Sequence, residues 1–282
     1  MGRFDDVLLT VDFDRTLTAP DSTVPQRNLE AIEYFMENGG AFTVNTGRSV
    51  ATFWKYLDTL PANAPFLLYN GSAAYEKGTL SQLHIIDLDV WQTMRTMRRL
   101  FPDMYLEIQG TKVHYLIDTI PEMIDLYEHM QWRYTTAQFD TDVGPFLKFS
   151  LFGYPRHPAV SDMFEATEEE ERRFREAEDT IRQLYGDKVE VFRAAPRIID
   201  VHAKGVSKIN AARQLQKALG RKLLVCVGDA QNDIPMLDGA DYAFCPADGV
   251  VADRYPTVCK CADGAVADVI YEKIPGILAN YP

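Results

Sequence analysis

Short apolar runs alternate with amphipathic stretches along the first part of the chain. Val7–Val11 is nearly continuous in apolar residues and reads as a buried strand. A helix opens near Pro25, sets Leu29, Ile32, Phe35 and Met36 on one face, and stops at Gly39-Gly40. The rhythm then repeats, with a strand over 41–45, a helix over 50–60 and a third strand over 66–69, closed by Asn70-Gly71-Ser72. Strands joined through helices run parallel, so this pattern predicts an open α/β sheet. It resumes after about residue 195 with a strand over 198–201, an amphipathic helix over 207–219 and a buried strand over 222–227. Residues 79–194 differ in character: they hold Trp91, Trp132, most tyrosines and the charged run Glu168-Glu169-Glu170-Glu171-Arg172-Arg173, which reads as a solvated helix face. Strands are predicted there over 112–117, 146–152 and 189–192. The expected fold is α/β: a Rossmann-like parallel-sheet core from residues 1–78 and 195–282, with an inserted α+β domain over 79–194.

Charge narrows the partners. With a net charge of -12, the chain opposes binding to nucleic acid or an anionic membrane surface. An anionic ligand therefore requires positive charge concentrated locally. The opening residues lack an apolar signal segment and no stretch is long and apolar enough to span a bilayer, so a cytoplasmic location is the expectation. Cys226, Cys245, Cys259 and Cys261 lack zinc-site spacing and read as small packed residues in a reducing compartment. Oligomeric state is not legible.

Candidate chemistry sits at predicted strand ends. Asp12-Phe13-Asp14-Arg15-Thr16-Leu17 follows the first strand directly, and carboxylates at i and i+2 near a strand end face the same way. Like charges that close need a shared proton or cation, and Mg²⁺, which wants hard oxygen ligands, is the natural answer. Asn45-Thr46-Gly47-Arg48 places a hydroxyl and backbone N–H groups after the second strand. Lys208 falls in the first turn of the helix after Gly205-Val206-Ser207. Gly228-Asp229-Ala230-Gln231-Asn232-Asp233 adds carboxylates after the strand over 222–227. Each has a bland alternative: a turn, a helix cap, a surface lysine, a loop. Their order and placement together favour one anion-handling site at the C-terminal edge of the sheet.

In this order the four segments resemble the motifs of the haloacid dehalogenase superfamily, and the insertion between the second and third resembles its type-two cap. Lys204-Gly205-Val206-Ser207-Lys208 and Gly228 through Leu237 are most similar to Cof-like sugar-phosphate phosphatases. The resemblance implies that Asp12 attacks phosphorus and becomes transiently phosphorylated, while Asp14 serves as general acid and base. It implies that Thr46, Gly47, Arg48, Lys208 and Asn232 hold or orient the phosphate. Asp12, the backbone carbonyl of Asp14 and Asp229 would bind Mg²⁺, with Asp233 acting directly or through water. The implied substrates are small phosphorylated metabolites, sugar phosphates ahead of pyridoxal phosphate, flavin mononucleotide and nucleotides. Lys148 and Arg193 are candidate substrate contacts in the insertion. A phosphomutase-type phosphotransferase such as a phosphomannomutase is the alternative, and a phospho-acceptor signalling module is disfavoured by Asp14. Two features depart from the pattern: Arg15 stands where Gly is usual, and Cys245-Pro246-Ala247-Asp248 replaces a commoner Gly-Asn-Ala. His202, near the third motif, reads as structural.

Overall fold

The computed structural model describes residues 2–154 and 165–281; residues 155–164, inside the expected insertion, and the two terminal residues lie outside that description. The chain divides into two compact units, one of Met1–Gly47, Tyr56–Ser81 and Ser207–Pro282, the other of Arg48–Lys55 and Gln82–Val206.

In the first unit, β1 (Val7–Val11), β2 (Ala41–Val44), β12 (Leu223–Val227), β13 (Tyr242–Pro246) and β14 (Thr257–Val258) form a parallel sheet in the order β14-β13-β12-β1-β2. The middle strands are buried along their whole length. Their apolar runs follow from helices covering both faces of a parallel sheet. An Asn45 to Leu67 bridge brings β3 (Phe66–Leu68) beside β2, and β3 continues into an antiparallel ribbon with β4 (Ala73–Glu76) and β5 (Thr79–Ser81). β5 therefore belongs to the core unit, and the insertion begins at 82, not at 79.

The helix expected over 50–60 forms only as Val50–Phe53, capped by Ser49 and Thr52. The two aromatic residues just past its end are anchored separately. Trp54 donates its indole N–H to the Gln131 carbonyl and lies under the Arg133 guanidinium, both in the second unit. Tyr56 packs on Phe13 at 4.5 Å between ring centroids, in the first.

The second unit carries a six-stranded sheet made by β6 (Met104–Gly110), β7 (His114–Ile117), β8 (Tyr134–Ala137), β9 (Phe146–Gly153), β10 (Val189–Ala195) and β11 (Ile198–Ala203), ordered β10-β11-β9-β6-β7-β8. The strand expected to reopen the core at 198 is thus a strand of the insertion, antiparallel to both β9 and β10. Its apolar positions suit either sheet, so periodicity could not assign it. Strand alternation divides this sheet into two faces. Leu106, Ile108, Phe149, Leu151, Ile199 and Val201 pack against helices Val90–Leu100 and Glu168–Tyr185. The opposite positions hold buried Glu107, Gln109, Lys148, Ser150, Asp200 and His202. Among the described residues no helix is long and apolar enough to cross a membrane.

Candidate active site

Three adjacent strands end together in the core unit. The Asp12 N–H donates to the Val227 carbonyl at 2.8 Å and the Asn45 N–H to the Val11 carbonyl at 2.8 Å, extending the ladders one residue past each strand. In-register parallel pairing therefore delivers Asp12, the Asn45-Thr46 step and Gly228-Asp229 to one sheet edge. Thr46 is buried there, its N–H bonded to the Leu67 carbonyl at 2.9 Å.

Lys208 is the first residue of helix Lys208–Ala218, whose N-cap Ser207 accepts from the Asn210 N–H. A helix N-terminus disfavours a cation, so this placement depends on opposing charge. Two carboxylates supply it: Lys208 Nζ lies 2.5 Å from Asp12 Oδ1 and 2.6 Å from Asp233 Oδ1, with all three side chains buried. The other Asp233 oxygen, Oδ2, accepts from the Asp229 and Ala230 N–H groups, each at 3.1 Å. Gly228 permits that approach, since a Cβ there would lie 2.7 Å from Asp233 Cβ.

The site carries more negative than positive charge. Burial raises the Asp12 carboxyl well above its ordinary pKa; Asp233 adds to the rise and Lys208 opposes it. Burial, then Asp233, pushes Asp229 up to about 7, against the Thr16 hydrogen bond and Lys208. For Lys208, burial favours loss of the proton, but Asp12 and Asp233 outweigh it and hold the ammonium above its ordinary value. Asp12, Asp229 and Asp233 each offer an oxygen, all within 4.8 Å of one another. Crowded hard-oxygen donors with raised pKa values fit a divalent cation of the Mg²⁺ type.

The remaining expected residues divide between the units. Asp14 is half-buried in the Phe13–Leu17 turn and Asn232 half-buried in the Gln231–Asp233 turn. Gly47 ends the first stretch of the core unit. Arg48 instead groups with the second unit, where its Nη1 donates to the Thr52 carbonyl at 3.4 Å. Lys148 forms a buried pair with Asp200 at 2.8 Å, and Arg193 pairs with Glu178 at 2.8 Å. Both cations of the insertion are therefore already matched by carboxylates.

Two contributors were not singled out by sequence. Thr16 donates from Oγ1 to Asp229 Oδ1 at 3.0 Å, and Asn45 donates from Nδ2 to the Lys208 carbonyl at 2.8 Å. Asn45, a buried amide ending an apolar strand, was the available signal; Thr16 had none beyond its place in the acidic segment.

A family model described as haloacid dehalogenase-like hydrolase matches residues 9–252. A protein of Buchnera aphidicola subsp. Schizaphis graminum, whose name includes the word phosphatase, is 24% identical over 237 residues, covering 82% of this chain and 80% of its own. The solved structure of the subclass IIB sugar phosphatase BT4131 superposes with a TM-score of 0.74 at 20% identity, covering 96% of this chain and 99% of that one. A haloacid dehalogenase/Cof-like hydrolase from Plasmodium vivax gives a TM-score of 0.74 at 20% identity, covering 98% and 97%. With the fold, the clustered carboxylates and a family match across most of its length, the chain belongs to the haloacid dehalogenase-like hydrolases.

Proposed function

We propose that this hydrolase is a Mg²⁺-dependent phosphatase of small phosphorylated metabolites of the cytoplasm, with sugar phosphates foremost, working through a phosphorylated Asp12. The observation that carries the reading is the buried Lys208 ammonium seated between Asp12 and Asp233. A lysine so placed fixes the orientation of the Asp12 carboxylate and presents positive charge where phosphoryl oxygens arrive. The naming of the Buchnera protein and of BT4131 supports the phosphatase class and the sugar-phosphate preference.

Asp12 supplies the attacking oxygen in line with the leaving group. Asp14 protonates the leaving oxygen, then takes the proton of the water that hydrolyses the acyl phosphate. Thr46 and Lys208 hold the phosphoryl oxygens, aided by the Gly47 N–H, while Asn232 steadies the adjoining turn. Arg48, next along the chain from Gly47, is a further candidate to hold the phosphate. Asp12, Asp229 and the Asp14 carbonyl would hold Mg²⁺, which when bound would supply charge neutralisation for the phosphoryl group. Asp233, which already accepts from Lys208 and from backbone N–H groups, would act on the ion directly or through water.

The test is a panel of phosphorylated metabolites assayed in excess chelator and after Mg²⁺ addition. Sugar-phosphate hydrolysis that vanishes with chelator and returns with Mg²⁺ is expected. Undiminished hydrolysis in chelator would overturn the metal assignment, and activity confined to non-sugar substrates would overturn the preference.

A further inference from the structure

Arg15 sits between Asp14 and Thr16, inside the acidic segment that follows β1. Its backbone is left-handed, with φ 59 and ψ 10, a conformation glycine adopts freely and a bulky side chain does not. The turn is pinned by the Arg15 N–H donating to Thr18 Oγ1 at 3.2 Å, so the strain is held in place by its surroundings. The side chain is exposed, unlike the buried Asp12, Asp229, Asp233 and Lys208 beside it. Among the described residues its guanidinium makes no hydrogen bond or ion pair, although its charge reaches Asp229 and Cys261. Lys208 already gives two of its three N–H donors to carboxylates at the reacting end of the site. In a protein of net charge -12, a strained position at the rim of the site thus carries an uncommitted planar cation.

We propose that Arg15 recognises a second anionic group of the substrate, a carboxylate or a further phosphate, distinct from the phosphoryl group being transferred. The guanidinium fork matches either anion through paired N–H donors, and its exposure suits the outer part of a ligand whose reacting end lies deeper. The inference rests on the phosphatase reading and deepens it: preferred substrates carry two separated anionic groups.

Matched substrates test it, with kcat/KM measured for 3-phosphoglycerate against glycerol 3-phosphate and for fructose 1,6-bisphosphate against fructose 1-phosphate. The unmodified enzyme should favour the doubly anionic member of at least one pair by about ten- to a hundredfold, the scale of a charge-assisted hydrogen bond. The first pair reports a carboxylate, the second a phosphate. Arg15→Gln and Arg15→Gly should bring that ratio near one, chiefly through KM, and Arg15→Lys should retain part of it. The glycine variant relieves the left-handed strain and is therefore expected to keep the turn folded. No preference in the unmodified enzyme, or a preference that survives Arg15→Gln, would overturn the proposal. Failure to hydrolyse even an aryl phosphate would instead defeat the phosphatase reading beneath it.

Discussion

Lys208 Nζ stands 2.5 Å from Asp12 Oδ1, with both groups out of water. Removing one partner of a buried ion pair strands the other, at a cost of roughly 3–5 kcal/mol. Lys208→Ala should destabilise the metal-free protein by about that amount in urea unfolding, and should lower kcat by about a hundredfold or more because phosphoryl charge loses its donor. Lys208→Arg should rescue neither fully, since a planar guanidinium fork does not reproduce the compact ammonium point charge seated on the Asp12 and Asp233 oxygens. Stability and turnover unchanged in Lys208→Ala would remove this pair from the account.

The carboxylate cluster makes metal and pH act together. Asp229 is raised to about 7 in the folded metal-free site, above its ordinary carboxylate value of 3.8, so between these values the folded state binds more protons than the unfolded. Stability from this cluster is therefore present at low pH and lost as pH rises toward 7. Saturating Mg²⁺ should reverse the loss, adding about 2.7 kcal/mol at a hundredfold excess over Kd. Mg²⁺ affinity should weaken below about pH 7 as Asp229 takes up a proton. Thermal melting across pH, with and without Mg²⁺, reads both effects, and Asp229→Asn should flatten them.

His202 provides a pH effect of opposite sign in the inserted domain. Burial, then the nearby Lys148 ammonium, lowers its pKa to about 3, with Asp200 opposing. Between about 3 and the ordinary 6.5 the unfolded state takes up a proton that the folded state refuses, so stability falls as pH drops through that window. The slope should approach 1.4 kcal/mol per pH unit. His202→Gln should lessen this acid sensitivity relative to the unmodified protein, measured as the difference in urea midpoint between pH 7 and pH 5. Equal sensitivity in both proteins would mean that His202 is protonated when folded.

Much of this was legible in the chain. The strand Val7–Val11 and the carboxylates after it could be read because a doubly covered parallel sheet demands continuous apolar runs and exposes its C-terminal ends. The sheet to which Ile198–Ala203 belongs is not legible, because an apolar strand carries no label for its sheet; pairing with Phe146–Gly153 fixes it. The helix after Ser49 ends at Phe53 with no glycine or proline before Pro61 to mark the stop, so its length is not legible in the sequence. Lys148 showed as a cation within an apolar strand, but its partner Asp200 lies 52 positions away and becomes visible only through the sheet.

The proposed catalysis depends on Asp12 as nucleophile and Asp14 as acid and base. Asp14→Asn retains size and the backbone carbonyl while removing proton transfer. With an aryl phosphate, whose phenolate leaves with little protonation, Asp12 should still be phosphorylated, but water is no longer activated. Steady turnover should fall by about a hundredfold to ten-thousandfold. Rapid-quench measurement on Asp14→Asn should then show a burst of phenolate equal to the enzyme concentration, with one added phosphate mass on the peptide containing Asp12. Asp12→Asn should show neither. Turnover of Asp14→Asn at the unmodified rate, or the added mass on any other residue, would contradict the mechanism.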